Sequence, residues 1–192
     1  MTSVNEELWA ALAGRRNYPP RRLSAPGPDA GTLERIFEAV AQVPDHGLLR
    51  PWRFIVVPDA RRADLGEVFA AALAERDPDS DESARGRARE KAFHAPCLVV
   101  AVLVDDPAAN KVPRAEKLVS LGCAVQNMLT VAQSLGFSSG LASGAAMGFS
   151  GMRELLRLAP HEEAVCFLAF GTASDPRPLR ERPRPADFVS TL

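Results

Sequence analysis

Cys97-Leu98-Val99-Val100-Ala101-Val102-Leu103-Val104 is an unbroken run of eight apolar residues between Pro96 and Asp105. Four of the eight are valine, and β-branched side chains favour strands. Side chains alternate along a strand, so a run apolar at every position must be covered on both faces. It reads as the central strand of a sheet with helices above and below. Two further runs fit beside it: Arg53-Phe54-Ile55-Val56-Val57, and Ala164-Val165-Cys166-Phe167-Leu168-Ala169-Phe170, the second ended by Gly171.

Helical spacing fills the remainder. Leu8, Trp9 and Leu12 share one face of a first helix, with Asn5 as its N-cap and Gly14 near its end. The proline-rich stretch 18–28 is expected to hold no regular structure. Asp29 or Thr32 opens a second helix carrying Leu33, Ile36, Phe37 and Val40, which stops before Pro44. A third helix over 61–74 carries Leu65, Val68, Phe69 and Leu73. Residues 76–90 read as a solvated loop leading into a polar helix, with no chemistry assigned. The longest helix, 114–135, has small residues alternating with apolar ones over Ser120-Leu121-Gly122-Cys123-Ala124-Val125, which lets another backbone come close. Residues 138–144 read as a short tight segment, followed by a helix over 151–158. Several helices around a few apolar strands give an α+β layer fold. The whole chain, 1–192, reads as one domain, and its Pro- and Arg-rich end, 175–192, as an extended tail that wraps a partner subunit.

Bulk properties exclude several function classes. A chain of 192 residues buries roughly 70% of its unfolded surface and needs no covalent staple. The 23 basic and 24 acidic residues nearly cancel, which leaves no broad electrostatic reason to bind nucleic acid or an anionic membrane. Cys97, Cys123 and Cys166 form an odd set without CxxC spacing, so they read as buried free thiols in a reducing compartment. The acidic start of the chain has no apolar core for a signal peptide, and no run reaches the ~18 residues of a membrane span. A soluble, cytoplasmic protein is the expectation.

The familiar catalytic motifs are absent. There is no GxGxxG after a strand, no GxxxxGK[ST] and no GxSxG elbow. His46, His94 and His161 have no ligand spacing, so no metal site is expected. A chain without side-chain machinery either binds something or borrows reactivity from an organic cofactor.

Three segments could hold such a cofactor. Arg15-Arg16-Asn17 places two guanidinium forks beside a carboxamide, which suits a phosphate and the polar edge of a planar ring, or else a basic helix C-terminus facing its dipole. The loop Val43-Pro44-Asp45-His46-Gly47-Leu48-Leu49-Arg50-Pro51-Trp52 can line an aromatic ligand, or plug the core with Trp52. The small residues of 140–144 admit a flat ligand against backbone amides, or simply make a turn.

The order of these blocks resembles the nitroreductase family of FMN oxidoreductases, in particular its small NAD(P)H nitroreductase branch. The resemblance runs through Arg15-Arg16, Val43-Pro44-Asp45-His46 and Arg50-Pro51-Trp52-Arg53-Phe54-Ile55-Val56-Val57. It continues through Ala95-Pro96, Asn110-Lys111-Val112-Pro113-Arg114 and Gly122-Cys123-Ala124-Val125-Gln126-Asn127-Met128. Gly136-Phe137, Ser143-Gly144 and Phe167-Leu168-Ala169-Phe170-Gly171-Thr172 complete it.

The resemblance implies an α/β sandwich with a mainly antiparallel central sheet, in an interlocked homodimer holding FMN at the subunit interface. In one subunit it implies that Arg15, Arg16 and Asn17 contact the phosphate, ribityl chain and pyrimidine edge, with Leu141, Ala142 and Ser143 against the ring. From the other subunit, Gln42, His46 and Leu49 would reach the same flavin. Arg182 and Arg184 are the candidates for a basic tail pair on the phosphate. The chain departs from the family at Asn17, where Ser or Thr is usual, and at Leu141-Ala142, where the branch usually has Trp-Arg.

The activity implied is ping-pong hydride transfer from NADH or NADPH through FMN to a small electron-poor acceptor: a nitroaromatic, quinone or enone. No side chain is assigned as acid or base, because the flavin carries the chemistry. Two other readings differ in class: a flavin-binding or flavin-modifying relative without turnover, and a dimeric interaction module without flavin.

Overall fold

The computed structural model describes residues 3–175, 178 and 181–192. Five strands make one antiparallel sheet: β1 (Leu23–Ser24), β2 (Trp52–Val57), β3 (Cys97–Val104), β4 (Ser138–Ala142) and β5 (Glu162–Ala173). β3 lies between β2 and β5, as its two apolar faces require, while β4 and β1 pair with β5. Val100 stands opposite Ile55 on one side and Phe167 on the other. A bulge slips the register between Ala101 and Val102, leaving Val165 as the extra residue on β5.

The alternation of β3 divides the core into two layers. Leu98, Val100 and Val102 face Leu65, Met152 and Leu156, from α3 (Arg62–Arg76) and the region of α6 (Ser150–Leu155). Cys97, Val99, Ala101 and Leu103 face α2 (Ala30–Glu38) and α5 (Arg114–Ser134). α5 buries Leu121, Ala124, Val125, Met128, Leu129 and Ala132 at three- and four-residue spacing. Each such side chain, when large and fully buried, contributes about 1.5–3 kcal/mol. The Asp29 side chain caps α2, accepting the Thr32 N–H at 2.8 Å. The remaining helices are α1 (Ser3–Gly14) and the polar α4 (Glu82–Glu90).

Several expectations are corrected. α1 starts at Ser3, so Asn5 lies inside it and is not its cap. Residues 138–142 are an edge strand rather than a tight segment, held by pairing with β5. β5 does not end at Gly171: a Cβ there would lie 2.8 Å from Pro96 and 2.9 Å from the Ser24 carbonyl, so glycine serves a close approach inside the strand. α6 stops at Leu155, and Arg157 has left the helix at φ +52°. The proline-rich stretch contains a 3-10 turn, Pro20–Arg22, and β1. Cys97 is buried, but Cys123 and Cys166 are only partly so; burial still pushes the Cys166 thiol up to about 11.

Residues 176, 177, 179 and 180 of the expected tail, and Met1 and Thr2 of the acidic start, lie outside the described residues. No helix among the described residues is long and apolar enough to cross a membrane.

Candidate functional site

The segment after α1 is laid along β4. Asn17 bridges Ser139 in parallel, and the Tyr18 N–H donates to the Ser139 carbonyl at 3.0 Å. The Asn17 side-chain oxygen accepts the Leu141 N–H at 2.7 Å. Gly140 makes this possible, since a Cβ on it would lie 1.9 Å from the Tyr18 carbonyl oxygen. The result is a short platform, Leu141 to Ser143, on which Leu141 is 40% exposed and Ser143 is also open to solvent.

The two arginines separate. Arg16 turns back to donate to the Gly14 carbonyl and lines a cavity of about 210 Å³ with Gln133 and Ser138. Arg15 instead meets the tail, where the Arg182 guanidinium donates to the Arg15 carbonyl at 3.2 Å. Burial, and then the positive charge of Arg182, push the Arg15 guanidinium below its ordinary pKa. Among the described residues no carboxylate pairs with Arg15 or Arg182. Arg184 lies 3.9 Å from Asp187, at the start of a 3-10 turn.

On the far side of Ala142 and Ser143 opens a cavity of about 490 Å³. Phe69, Leu73, Leu98, Met147 and Phe167 give it an apolar floor, and Arg21, Arg76 and Lys91 line it as exposed cations. His94 lines it too; burial lowers its pKa first, Glu90 opposes that, and Arg21 and Lys91 lower it further. Sequence reasoning missed these four residues. They come from three elements, with only Lys91 and His94 sharing one turn, so no spacing along the chain brings them together, and residues 76–90 carry no chemistry in the sequence reading.

Gln42, His46 and Leu49 are elsewhere. His46 shares a hydrogen bond of 2.5 Å between Nδ1 and Glu116 Oε2, at the first turn of α5. The loop is tightly shaped: Gly47, Leu48 and Arg50 have φ of 65°, 55° and 50°, and Asp45 accepts the Arg50 N–H at 2.6 Å. Trp52, partly buried, packs on the α5 side of the core. Arg16 and Gly14, by contrast, adjoin Gln133 at the last turn of α5. His46 is therefore about 25 Å from the Arg16 end along that helix, while the turn that ends at Gln42 lies against its middle, where Asn127 donates to the Ala39 carbonyl; one chain does not unite His46 with Arg16.

A family model described as the nitroreductase family matches residues 12–172. The chain belongs to that family. A Haemophilus influenzae protein named "Putative NAD(P)H nitroreductase" is 34% identical over 155 residues, 81% of this chain and 83% of its own length. The Escherichia coli K12 "Putative NAD(P)H nitroreductase YdjA" is 35% identical over 152 residues, 79% of this chain and 81% of its own. Among solved structures, a nitroreductase-like protein from Bacillus cereus superposes with TM-score 0.83 at 17% identity, covering 96% of this chain and 95% of that one. The FMN-dependent nitroreductase NfnB from Mycobacterium smegmatis, solved with NADPH, gives 0.77 at 16% identity over 98% and 99%. At these identities the likeness establishes the fold, and with it the expected α+β sandwich around an antiparallel sheet.

Among the described residues no group of three or more His, Cys, Asp or Glu could hold a metal ion.

Proposed function

We propose that this nitroreductase-family protein is an FMN-dependent NAD(P)H oxidoreductase. One observation carries the reading: Arg15 and Arg182 meet, neither paired with a carboxylate among the described residues, two residues before Asn17, whose side chain is bonded to the exposed platform at Leu141. Like charges converge at a cost unless an anion is meant to lie between them. A phosphate there, continuous with a planar ring on the platform, is the chemistry of FMN, and the donor set fits it.

When bound, the flavin supplies hydride chemistry, accepted from NADH or NADPH and passed in alternation to a nitroaromatic, quinone or enone. The chain's own residues bind and orient. Arg15 and Arg182 hold the phosphate, Asn17 fixes the platform, and Leu141, Ala142 and Ser143 lie under the ring. Lys91 and Arg21, in the cavity next to the platform, make the local potential positive, which favours electron uptake by a ring held there. Arg16 and Arg184 are secondary members of the site, reached by a change of rotamer from their present contacts.

We read the working unit as a twofold homodimer. Two α5 helices aligned antiparallel carry Gln42, His46 and Leu49 of one subunit to the Arg15 end of the other. The outer face of α5 is open: Val119 is 67% exposed, and a Cβ on Gly122 would meet nothing within 4 Å. Leu8 and Trp9 of α1 and Phe188 and Val189 of the tail are apolar and exposed as well, which supports a tail that wraps a second copy. With one domain per chain and three unpaired cysteines, the reducing cytoplasm is the setting we assign.

The test is the absorption spectrum of the purified protein, followed by anaerobic addition of NADPH or NADH. Flavin bands that bleach on addition are expected. Colourless protein that fails to take up added FMN would overturn the proposal.

A further inference from the structure

We propose that the cavity behind Ala142 and Ser143 is an acceptor subsite for aromatic carboxylates. This rests on the flavin reading above and narrows its substrate class. The cavity volume, about 490 Å³, falls within the range of small-molecule sites, roughly 300–1,000 Å³. Its floor is apolar, with Phe69 and Phe167 in edge-to-face contact at 5.8 Å between centroids. A small inorganic anion would leave that floor wet.

The rim sets the charge of the occupant. Arg21 follows the Asn17 segment, Arg76 ends α3, and Lys91 follows α4. Among the described residues no Asp or Glu lines the cavity. Arginines outside it find acids: Arg22 pairs with Asp175 at 3.4 Å, Arg61 with Asp64 at 2.6 Å, and Arg89 with Glu67 at 2.8 Å. Among the described residues none of the three rim cations is in such a pair. Glu90 is the one carboxylate felt at this rim, through His94; three cations outside any ion pair above an aromatic floor fit a flat apolar body carrying one anionic group. Because Ala142 and Ser143 form both the platform and the cavity wall, such a ligand lies next to the ring seat.

The test compares naphthalene-2-carboxylate with neutral 2-naphthalenemethanol, each titrated calorimetrically onto the full-length protein at low ionic strength. The acid is expected to bind roughly tenfold more tightly. Arg76→Gln and Arg21→Gln are each expected to lower affinity for the acid several-fold and leave the alcohol unchanged, with Arg76→Lys largely restoring the acid. In turnover, kcat/KM for 4-nitrobenzoate over 4-nitrobenzyl alcohol should fall in the same variants.

Equal binding of acid and alcohol would overturn the subsite. So would displacement of FMN by the naphthoate, which would make the cavity part of the flavin's own seat. A rise in KM confined to NADPH would likewise overturn it, by assigning the rim to the nucleotide phosphate. The titration does not need bound flavin, so a colourless protein that still prefers the acid would sink the flavin reading and the acceptor role with it, and leave the cavity as an aromatic-carboxylate binding site.

Discussion

The Asn17 side-chain oxygen and the Leu141 backbone N–H are joined at 2.7 Å, across 124 residues of sequence. This bond ties the end of the α1 segment to the edge of the sheet, next to the Tyr18–Ser139 hydrogen bond. Asn17→Ala removes the acceptor and leaves a strand N–H to find water. A loss of about 1 kcal/mol in stability is expected, readable as a lower Tm, together with weaker FMN retention. If FMN affinity in Asn17→Ala equals that of the parent, the platform does not depend on this tie.

Arg15 and Arg182 should act on FMN as a unit. Replacing either by alanine removes a charge-assisted contact to the phosphate, on the order of 1.5–3 kcal/mol, or roughly 10- to 150-fold in Kd. Arg15→Lys should recover only part of this, since the planar fork is lost. Because both guanidinium groups would contact the same anion, the double variant should lose less than the sum of the singles. Fluorescence titration with FMN, with riboflavin as the phosphate-free control, reads the effect. Riboflavin affinity falling as far as FMN affinity would remove the arginines from the phosphate.

What the sequence disclosed follows from where its signals were continuous. β3 and α5 were legible because unbroken apolar runs and three-to-four spacing are local properties, and α2 because Asp29 is a cap with a mechanism. β4 was not, since Ser-Ser-Gly-Leu-Ala lacks β-branched residues and owes its strand form to β5. Gly171 misled for a related reason: glycine marks both chain ends and close approaches, and only the position of Pro96 distinguishes them. At the site, the alternation of an extended segment could have warned that Arg15 and Arg16 diverge. The cavity cations were invisible, being assembled from three elements, and Arg182 was reached through resemblance rather than pattern.

Glu162 makes acid sensitivity predictable. Its side chain is 10% exposed and accepts from Arg53 at 2.5 and 2.8 Å, joining the start of β5 to β2. The Arg53 hydrogen bond, above all, holds its pKa below the ordinary carboxylate value, with burial opposing and the Ala159 N–H assisting. A carboxylate depressed in the folded state stabilises the protein above its unfolded pKa, about 4.3. That contribution is lost as pH falls from there through the folded value. Tm should therefore decline on acidification below that point. Glu162→Gln should lower Tm at neutral pH, by an amount equivalent to about 1.5–3 kcal/mol, and flatten the acid limb. An acid limb as steep as the parent's would place the titrating group elsewhere.

Gly122 separates the single chain from the dimer. Inside one chain a Cβ at this position meets nothing, so Gly122→Ala should strengthen the helix by about 1 kcal/mol. Across a close helix–helix seam the same methyl, or more forcefully Gly122→Leu, would hold the two backbones apart. The two effects have opposite signs in different measurements. Sedimentation should show a Gly122→Leu protein dissociating at concentrations where the parent is dimeric, while far-ultraviolet circular dichroism shows its helices intact. Flavin release should track dissociation if, as proposed, Gln42, His46 and Leu49 of one subunit reach the ring held by the other. A Gly122→Leu monomer that keeps its FMN would confine the site to a single chain and leave His46 with no role in it.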